Sequence, residues 1–296
     1  MKLLIYGGMG MLGHRLWFNL GKVHETWVTV HGSPSQVPED KEFPRGHIVP
    51  GIDALRDEDL RRAIHSVRPD QVINCIGLVK QLPSAKDPLS SIALNALFPH
   101  RLAWICQEAG VRMIHFSTEC VFSGRKGGYV ESDPSDADDL YGRTKFLGEV
   151  AYPHTVTLRT SVIGRELKTR HGLMEWFLLQ EGVVHGYAKA IFSGFTADEL
   201  SRVVRDYVIP DRELRGIYHV SSAPISKYEL LQLAGKAFRR PLVILRDAGF
   251  ACDRSLDSTL FKQRTGYRPP LWEEMIEELA SSSPFYDRLG EKSNAH

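Results

Sequence analysis

Nothing in this 296-residue sequence is apolar for long enough to cross a bilayer. The run that opens the chain, Leu3 to Tyr6, is cut by Gly7, whereas a spanning helix needs roughly 20 apolar residues. It therefore reads as a buried strand, with no signal peptide visible. Cysteine is scarce: Cys75, Cys106, Cys120 and Cys252 are scattered, which excludes a disulfide framework and points to a reducing, cytoplasmic setting. Among the 12 histidines there is no HExxH, and the cysteines make no CxxC pair, so no metal site is expected. Charge of one sign is also missing. With 37 basic against 36 acidic side chains and no Lys/Arg run, neither nucleic acid nor an anionic membrane is an expected partner. Any anionic ligand must be met locally. No internal repeat or low-complexity linker occurs, and only the last dozen residues read as disordered.

What the chain does contain is alternation. Lys2 to Tyr6, Thr26 to His31, Gln71 to Ile76, Val111 to Ser117 and Thr155 to Val162 read as strands. Between them Met11 to Gly21, Asp57 to Val67, Pro88 to Ala109 and Asp139 to Ala151 carry helical periodicity. This order predicts an α/β fold, a Rossmann-type doubly wound parallel sheet with a smaller C-terminal substrate-binding lobe. Residues 1–165 would form the dinucleotide-binding domain, to which the chain returns around 190–222; residues 166–189 and 223–296 would form the lobe. Helices are expected near His171 to Gln180, Thr196 to Val208, Ser226 to Phe238 and Leu271 to Ala280, with one more strand at Ile217 to Val220. In such sheets ligands bind at the carboxyl ends of the strands.

The first strand runs straight into Gly7-Gly8-Met9-Gly10-Met11-Leu12-Gly13 and then a helix. The GxxGxxG spacing meets the needs of a pyrophosphate: a tight turn, close backbone approach, and a helix packed near the strand with its positive end toward the phosphates. Gly7, Gly10, Met11, Leu12 and Gly13 are accordingly candidate cofactor contacts. An acidic residue about 20 positions on normally holds the ribose 2′-hydroxyl of NAD. Here the text is His31-Gly32-Ser33-Pro34-Ser35-Gln36, without a carboxylate, which favours NADPH over NADH although NADH stays compatible. Arg15 and Ser33 are candidate partners for a 2′-phosphate; Arg15 reads equally well as a solvated helix residue.

In Tyr141-Gly142-Arg143-Thr144-Lys145, tyrosine and lysine stand four apart on one helical face. A neighbouring ammonium is expected to lower the phenol's pKa, so that it exchanges a proton with a carbonyl oxygen near neutral pH, and the same lysine can hold a cofactor ribose. Thr118, at the end of the strand carrying His115 to Ser117, can hydrogen-bond that oxygen. YxxxK alone is a common accident. A glycine turn, a Ser-Thr strand end and YxxxK in that order are far less so.

With these residues in hand the chain resembles the extended short-chain dehydrogenase/reductase superfamily, and within it the dTDP-4-dehydrorhamnose reductase group. The matching text is Gly7/Gly10/Gly13, Arg68 to Asn74, Asn95-Ala96, FSTECVFSG at 116–124, Tyr129 with Glu131, YGRTK at 141–145 with Gly148-Glu149, Leu158-Arg159-Thr160, GIYHVSS at 216–222 and the segment DRSLDSTLF with TGY and PLWEEMIEEL beyond it. The resemblance implies NADPH-dependent reduction of the 4-keto group of a nucleoside-diphosphate-linked 6-deoxy sugar, in deoxysugar and polysaccharide biosynthesis. It implies Thr118, Tyr141 and Lys145 as the catalytic trio, Asn74 and Gly77 beside the cofactor, and Asn95 supporting the active-site helix. Glu119, Arg159, Trp176, Phe195, Thr196, Tyr228 and Arg254 become candidate substrate contacts, any aromatic among them reading equally as core. A homodimer is expected by fold analogy alone.

Two departures stand out. The group's STDYVF is replaced by Ser117-Thr118-Glu119-Cys120-Val121-Phe122, and its Arg-Pro pair ahead of the C-terminal LD segment by Ala251-Cys252-Asp253-Arg254. Cys120 in place of a carboxylate disfavours the dehydratases of the superfamily. A cysteine there is also found in GDP-fucose synthase and related 3,5-epimerase/4-reductases, so a bifunctional reading has Cys120 shuttling protons with His171 as partner acid; the plainer reading is a small packed residue. A third reading is a non-catalytic NADP-binding module similar to the regulatory subunit of methionine adenosyltransferase, which an intact Thr118/Tyr141/Lys145 set disfavours.

Overall fold

Residues Leu3, Leu4, Ile5 and Tyr6 of the first strand β1 (Lys2–Tyr6) are all fully buried, because parallel strands covered on both faces have no solvent side. Side chains alternate across a strand. Leu3 and Ile5 join one apolar cluster with Leu16 and Trp17, while Leu4 and Tyr6 join another with Leu60 and Phe98 on the opposite face. The computed structural model describes residues 1–34, 37–38, 46–80 and 83–293.

The strands in chain order are β1, β2 (Glu25–Thr29), β3 (Ile48–Val49), β4 (Gln71–Asn74), β5 (Arg112–Thr118), β6 (Thr155–Thr160), β7 (Val162–Ile163), β8 (Val183–Phe192), β9 (Phe195–Thr196), β10 (Gly216–His219), β11 (Ile225–Ser226) and β12 (Val243–Asp253). Seven of them form one parallel sheet in the order β10-β6-β5-β4-β1-β2-β3. Strand order reverses between β1 and β4, so a crevice opens where the loops leaving these strands part to opposite sides. A mixed α/β architecture with this central sheet is the expected fold class.

Helices cover both faces. Asp57–Val67 buries Leu60, Ala63, Ile64 and Val67 at helical spacing and carries Asp57, Glu58 and Asp59 in its first turn, where the helix dipole favours acids. The stretch read as one helix from Pro88 to Ala109 is continuous but changes pitch: Ile92–Leu97 is a π-helical segment between the α-helices Pro88–Ser91 and Phe98–Glu108. Such widened turns occur frequently at functional sites, and Asn95 lies inside this one.

Past β7 a second, three-stranded sheet has the order β11-β8-β12. Neither long strand, β8 nor β12, was predicted. β12 (VILRDAGFACD) is only partly covered and its pairing with β8 shifts between Asp247 and Ala251, so no period-2 apolar pattern marks it. The helix Lys227–Ala237 packs across this sheet so closely that a Cβ on Gly186 would sit 2.8 Å from the Tyr228 Cα. The end of the chain corrects another expectation. Ser283–Ser293 is helical, and Phe285 and Tyr286 are buried in the cluster that holds Leu16 and Trp17; residues 294–296 lie outside the described residues. Among the described residues no helix is long and apolar enough to cross a membrane, and no cluster of metal-ligating side chains occurs.

Candidate active site

The turn leaving β1 is shaped by what its glycines lack. Gly7 has φ of +89°, open to glycine without strain, and a Cβ on Gly13 would lie 2.0 Å from the Gly7 carbonyl oxygen. Gly10 is different: a Cβ there would meet only that same oxygen, at 3.6 Å. Gly10 caps the helix Met11–Leu20 without a side chain, so the first backbone N–H groups are left for a ligand, and Gly10, Met11 and Leu12 line a cavity over the carboxyl end of the sheet. Gly8 was not singled out from the sequence, yet its Cβ would fall 2.5 Å from the Val28 Cβ; the doubled glycine was the available signal. After β2 the chain carries Val30, His31, Gly32 and an exposed Ser33, none a carboxylate; Ser35 and Gln36 lie outside the described residues.

The next strand end contributes the far wall. Buried Asn74 accepts from the Ile76 N–H at 2.9 Å through Oδ1 and meets the His115 Nδ1 at 3.1 Å. Asn95 fastens the same loop, its Oδ1 accepting from Leu78 N–H at 2.8 Å and its amide donating to the Leu78 carbonyl at 3.3 Å. Gly77 lies between: a Cβ there would be 3.2 Å from Asn95 Oδ1 and 3.8 Å from Lys145 Nζ.

Thr118 ends β5 and accepts from the Cys120 N–H at 3.1 Å. The helix Leu140–Leu147 is started by Asp139, whose carboxylate accepts from Gly142 N–H at 2.7 Å, and is pinned to the β5 loop because a Cβ on Gly142 would meet the Cys120 carbonyl oxygen at 2.1 Å. One helical turn then carries both Tyr141 and Lys145 into the cavity lined by Thr118. Lys145 donates to the Phe116 carbonyl at 2.8 Å, and burial pushes its pKa down to about 8, against the opposing pull of Glu149. Tyr141 corrects the expectation of an acidified phenol. Burial pushes its pKa up, the neighbouring Cys120 and Glu119 add to the rise, and the Thr118 hydroxyl opposes it, so the phenol is held protonated. The ammonium is turned to the Phe116 carbonyl instead.

Several candidates lie elsewhere. Arg15 is buried against Asp198, with Nε to Oδ1 at 2.9 Å, and stacks on Phe18; its charge is committed to the helix Ala197–Val203, not to a phosphate. Arg159 forms a two-pronged ion pair with Glu149, both distances 2.8 Å, in a buried network with His219. Phe195 is fully buried core, and Thr196 caps the next helix by accepting from Glu199 N–H. Trp176 is exposed on the helix Leu173–Leu178, away from the cavity lining, and Tyr228 packs on Gly186. His171 is exposed, its N–H bound to Glu166. Arg254 donates to the Phe122 carbonyl at 2.8 Å and reaches Cys120 Sγ at 3.9 Å, standing behind the Cys120 loop. Cys120 itself lines the cavity, with burial first and Glu119 second raising its pKa.

The cavity measures about 380 Å³, inside the ~300–1,000 Å³ span of ligand sites. Glu119 lines it, its pKa pushed up to about 7 by burial despite the Lys227 and Arg254 cations. Lys227, Glu166, Ser161 and Phe192 also line it and were missed. Lys227 and Phe192 come from the second sheet and its helix, whose local sequence carries no motif.

A family model described as the RmlD substrate binding domain matches residues 1–282. The chain is 30% identical over 203 residues to methionine adenosyltransferase 2 subunit beta of Danio rerio, covering 63% of this chain and 62% of that one. It is 28% identical over 279 residues to the probable dTDP-4,6-dihydroxy-2-methyloxan-3-one 4-ketoreductase of Streptomyces antibioticus, covering 81% and 83%. For several curated relatives the chain spans about half of their length, between 44% and 62%. Among solved structures it resembles dTDP-4-dehydrorhamnose reductase of Bacillus anthracis in complex with NADP, with a TM-score of 0.76, 21% identity, and coverage of 94% of this chain and 98% of that one; this likeness is one of fold.

Proposed function

The chain belongs to the family of the RmlD substrate binding domain, and from that premise we propose that it is a reductase that uses NADPH to reduce the 4-keto group of a nucleoside-diphosphate-linked 6-deoxy sugar. The observation that carries the reading is the convergence of Thr118, Tyr141 and Lys145 on one cavity that Gly10, Met11 and Leu12 also line.

The residues present suit a dinucleotide. Gly13 and Gly7 bring the backbone into a cradle that a Cβ would fill, while the N–H groups of the uncapped helix start suit a pyrophosphate. The lack of a carboxylate after β2, as far as Pro34, suits a 2′-phosphate. NADPH, when bound, supplies the hydride.

The protein's own contribution is orientation and a proton. Tyr141 gives its phenolic proton to the carbonyl oxygen as negative charge builds there, and the Thr118 hydroxyl shares the same oxygen. A phenol held protonated by burial is the state needed for donation. Lys145 has three donors and uses one on Phe116, leaving two for ribose hydroxyls. Ketone, hydride and proton together make the alcohol, and solvent returns the proton to Tyr141.

The bifunctional reading has one observation in its favour, Cys120 on the cavity wall with a guanidinium 3.9 Å from its sulfur. Against it, the thiol is raised rather than lowered, and His171 faces solvent on a loop tied to Glu166. The test of both is to incubate the protein with NADPH and a panel of 4-keto sugar nucleotides in deuterated water. Steady NADPH oxidation supports the reductase, and deuterium at carbons beside the carbonyl reports a working Cys120. A Tyr141→Phe variant with undiminished turnover would refute the mechanism.

A further inference from the structure

Inside the cavity two oppositely charged groups from different lobes form no ion pair with each other. Glu119, at 8% exposure, has an Oε2 that no hydrogen bond reaches. Lys227 lines the same cavity, its ammonium resting 4.0 Å from the centroid of the Phe192 ring. Among the described residues no ion pair or hydrogen bond of that ammonium occurs. A buried carboxylate oxygen left unpaired in a ligand cavity that a lysine ammonium also lines calls for an explanation.

Both groups are held in place by rigid structure. Lys227 is the first residue of the helix Lys227–Ala237, whose start is fixed by a reciprocal cap between Ser226 and Glu229. The preceding pair Ile225 and Phe192 are in register between β11 and β8, which sets the aromatic ring beneath the ammonium. Glu119 follows Thr118 directly and is held by the turn Glu119–Val121. The two feel each other's charge without touching, so a gap remains between them.

What fills that gap is limited by chemistry. Lys227 can only donate, and an ionised Glu119 can only accept; a hydroxyl does both at once. Since Thr118 and Tyr141 fix the place of the carbonyl oxygen, the space beside Thr118 adjoins the ring carbon next to the carbonyl. We propose that Lys227 and Glu119 together select the sugar, Lys227 donating to and Glu119 Oε2 accepting from one hydroxyl on the carbon adjacent to the reacting carbonyl. This rests on the reductase reading above and extends it to substrate choice, with Lys227 and Glu119 as positioning residues. A sugar lacking that hydroxyl leaves both groups unpaired, the situation in which sites built for hydrogen bonding discriminate most strongly.

The experiment compares dTDP-4-dehydrorhamnose with its 3-deoxy analogue on the wild type, Lys227→Met, Lys227→Arg and Glu119→Gln, with NADPH affinity measured separately by calorimetry. The wild type should prefer the hydroxylated sugar in kcat/KM by on the order of 100-fold or more. In Lys227→Met that preference should collapse toward unity, chiefly through KM, with NADPH affinity within about twofold of wild type and partial rescue in Lys227→Arg. Equal losses on both sugars, or an unchanged preference, overturn the proposal. If the wild type reduces neither sugar, it is the reductase reading that fails. Binding of dTDP-rhamnose then decides: at least tenfold tighter binding to wild type than to Lys227→Met supports the hydroxyl clamp, and a smaller difference or no binding overturns it.

Discussion

Replacing Glu119 by glutamine should make the free protein more stable, and by an amount that depends on pH. Burial raises this carboxyl from the usual 4.5 to about 7, while Lys227, Ser161 and Arg254 only partly offset the effect. A carboxyl raised in this way holds its proton more tightly folded than unfolded. Its favourable contribution is full below pH 4.5 and is lost as pH rises through about 7. At about 1.4 kcal/mol for each pH unit, the wild type gives up about 3 kcal/mol across this window. With only 8% exposure, solvent screening takes little away. Glutamine has no such titration. Urea unfolding followed by tryptophan fluorescence at intervals from pH 4.5 to 8 should therefore show the variant near wild type in acid and ahead by about 3 kcal/mol at pH 8. A difference that stays flat over this range, or that grows toward acid, refutes the assignment of a desolvated carboxyl.

Lys145 loses its ammonium as pH rises through about 8, so kcat/KM for keto-sugar reduction should fall with an alkaline limb centred there, and Lys145→Arg should remove that limb. Arg15→Ala should leave NADPH affinity by calorimetry unchanged while costing about 3–5 kcal/mol in urea unfolding, because Asp198 stays buried without its partner; a hundredfold loss of NADPH affinity with intact stability would restore Arg15 as a phosphate ligand. Gly13→Ala pushes a methyl to within 2.0 Å of the Gly7 carbonyl and should abolish NADPH binding measured by fluorescence titration. Retained binding would show that the turn can widen.

The parts legible in the sequence were those written within one strand-turn-helix unit. Gly7, Gly10 and Gly13 stand next to each other in the chain and in space, and Tyr141 and Lys145 share one helical turn, so spacing alone placed them. Strand and helix positions in the first half followed from apolar periodicity for the same reason, with β1 and Asp57–Val67 read to their ends. Charged residues were harder. A sequence shows a guanidinium but not its partner: Arg15 finds Asp198 far along the chain, and Arg159 finds Glu149 across the β6 edge. Phe195 and Thr196 were candidate substrate contacts, yet one fills core and the other starts a helix. Lys227 and Phe192 were invisible because the pairing of β11 with β8 brings them to the cavity, and no short motif encodes that. The phenol's direction of shift was also beyond a spacing argument, since it is set by burial before charge.

The imidazole of His14 donates through Nδ1 to the Gly10 carbonyl at 2.9 Å and accepts through Nε2 from the Tyr286 hydroxyl at 2.7 Å; burial pushes its pKa down to about 4, so the ring is neutral and this division of roles is fixed. The glycine loop is thus buttressed by a helix 272 residues further along the chain. During synthesis the glycine turn has its strand and its glycines long before it has this brace, and a nascent chain halted short of residue 286 would carry a recognisable but unsupported turn. Completion of the glycine turn is in this sense timed by the bracing helix rather than by the motif itself.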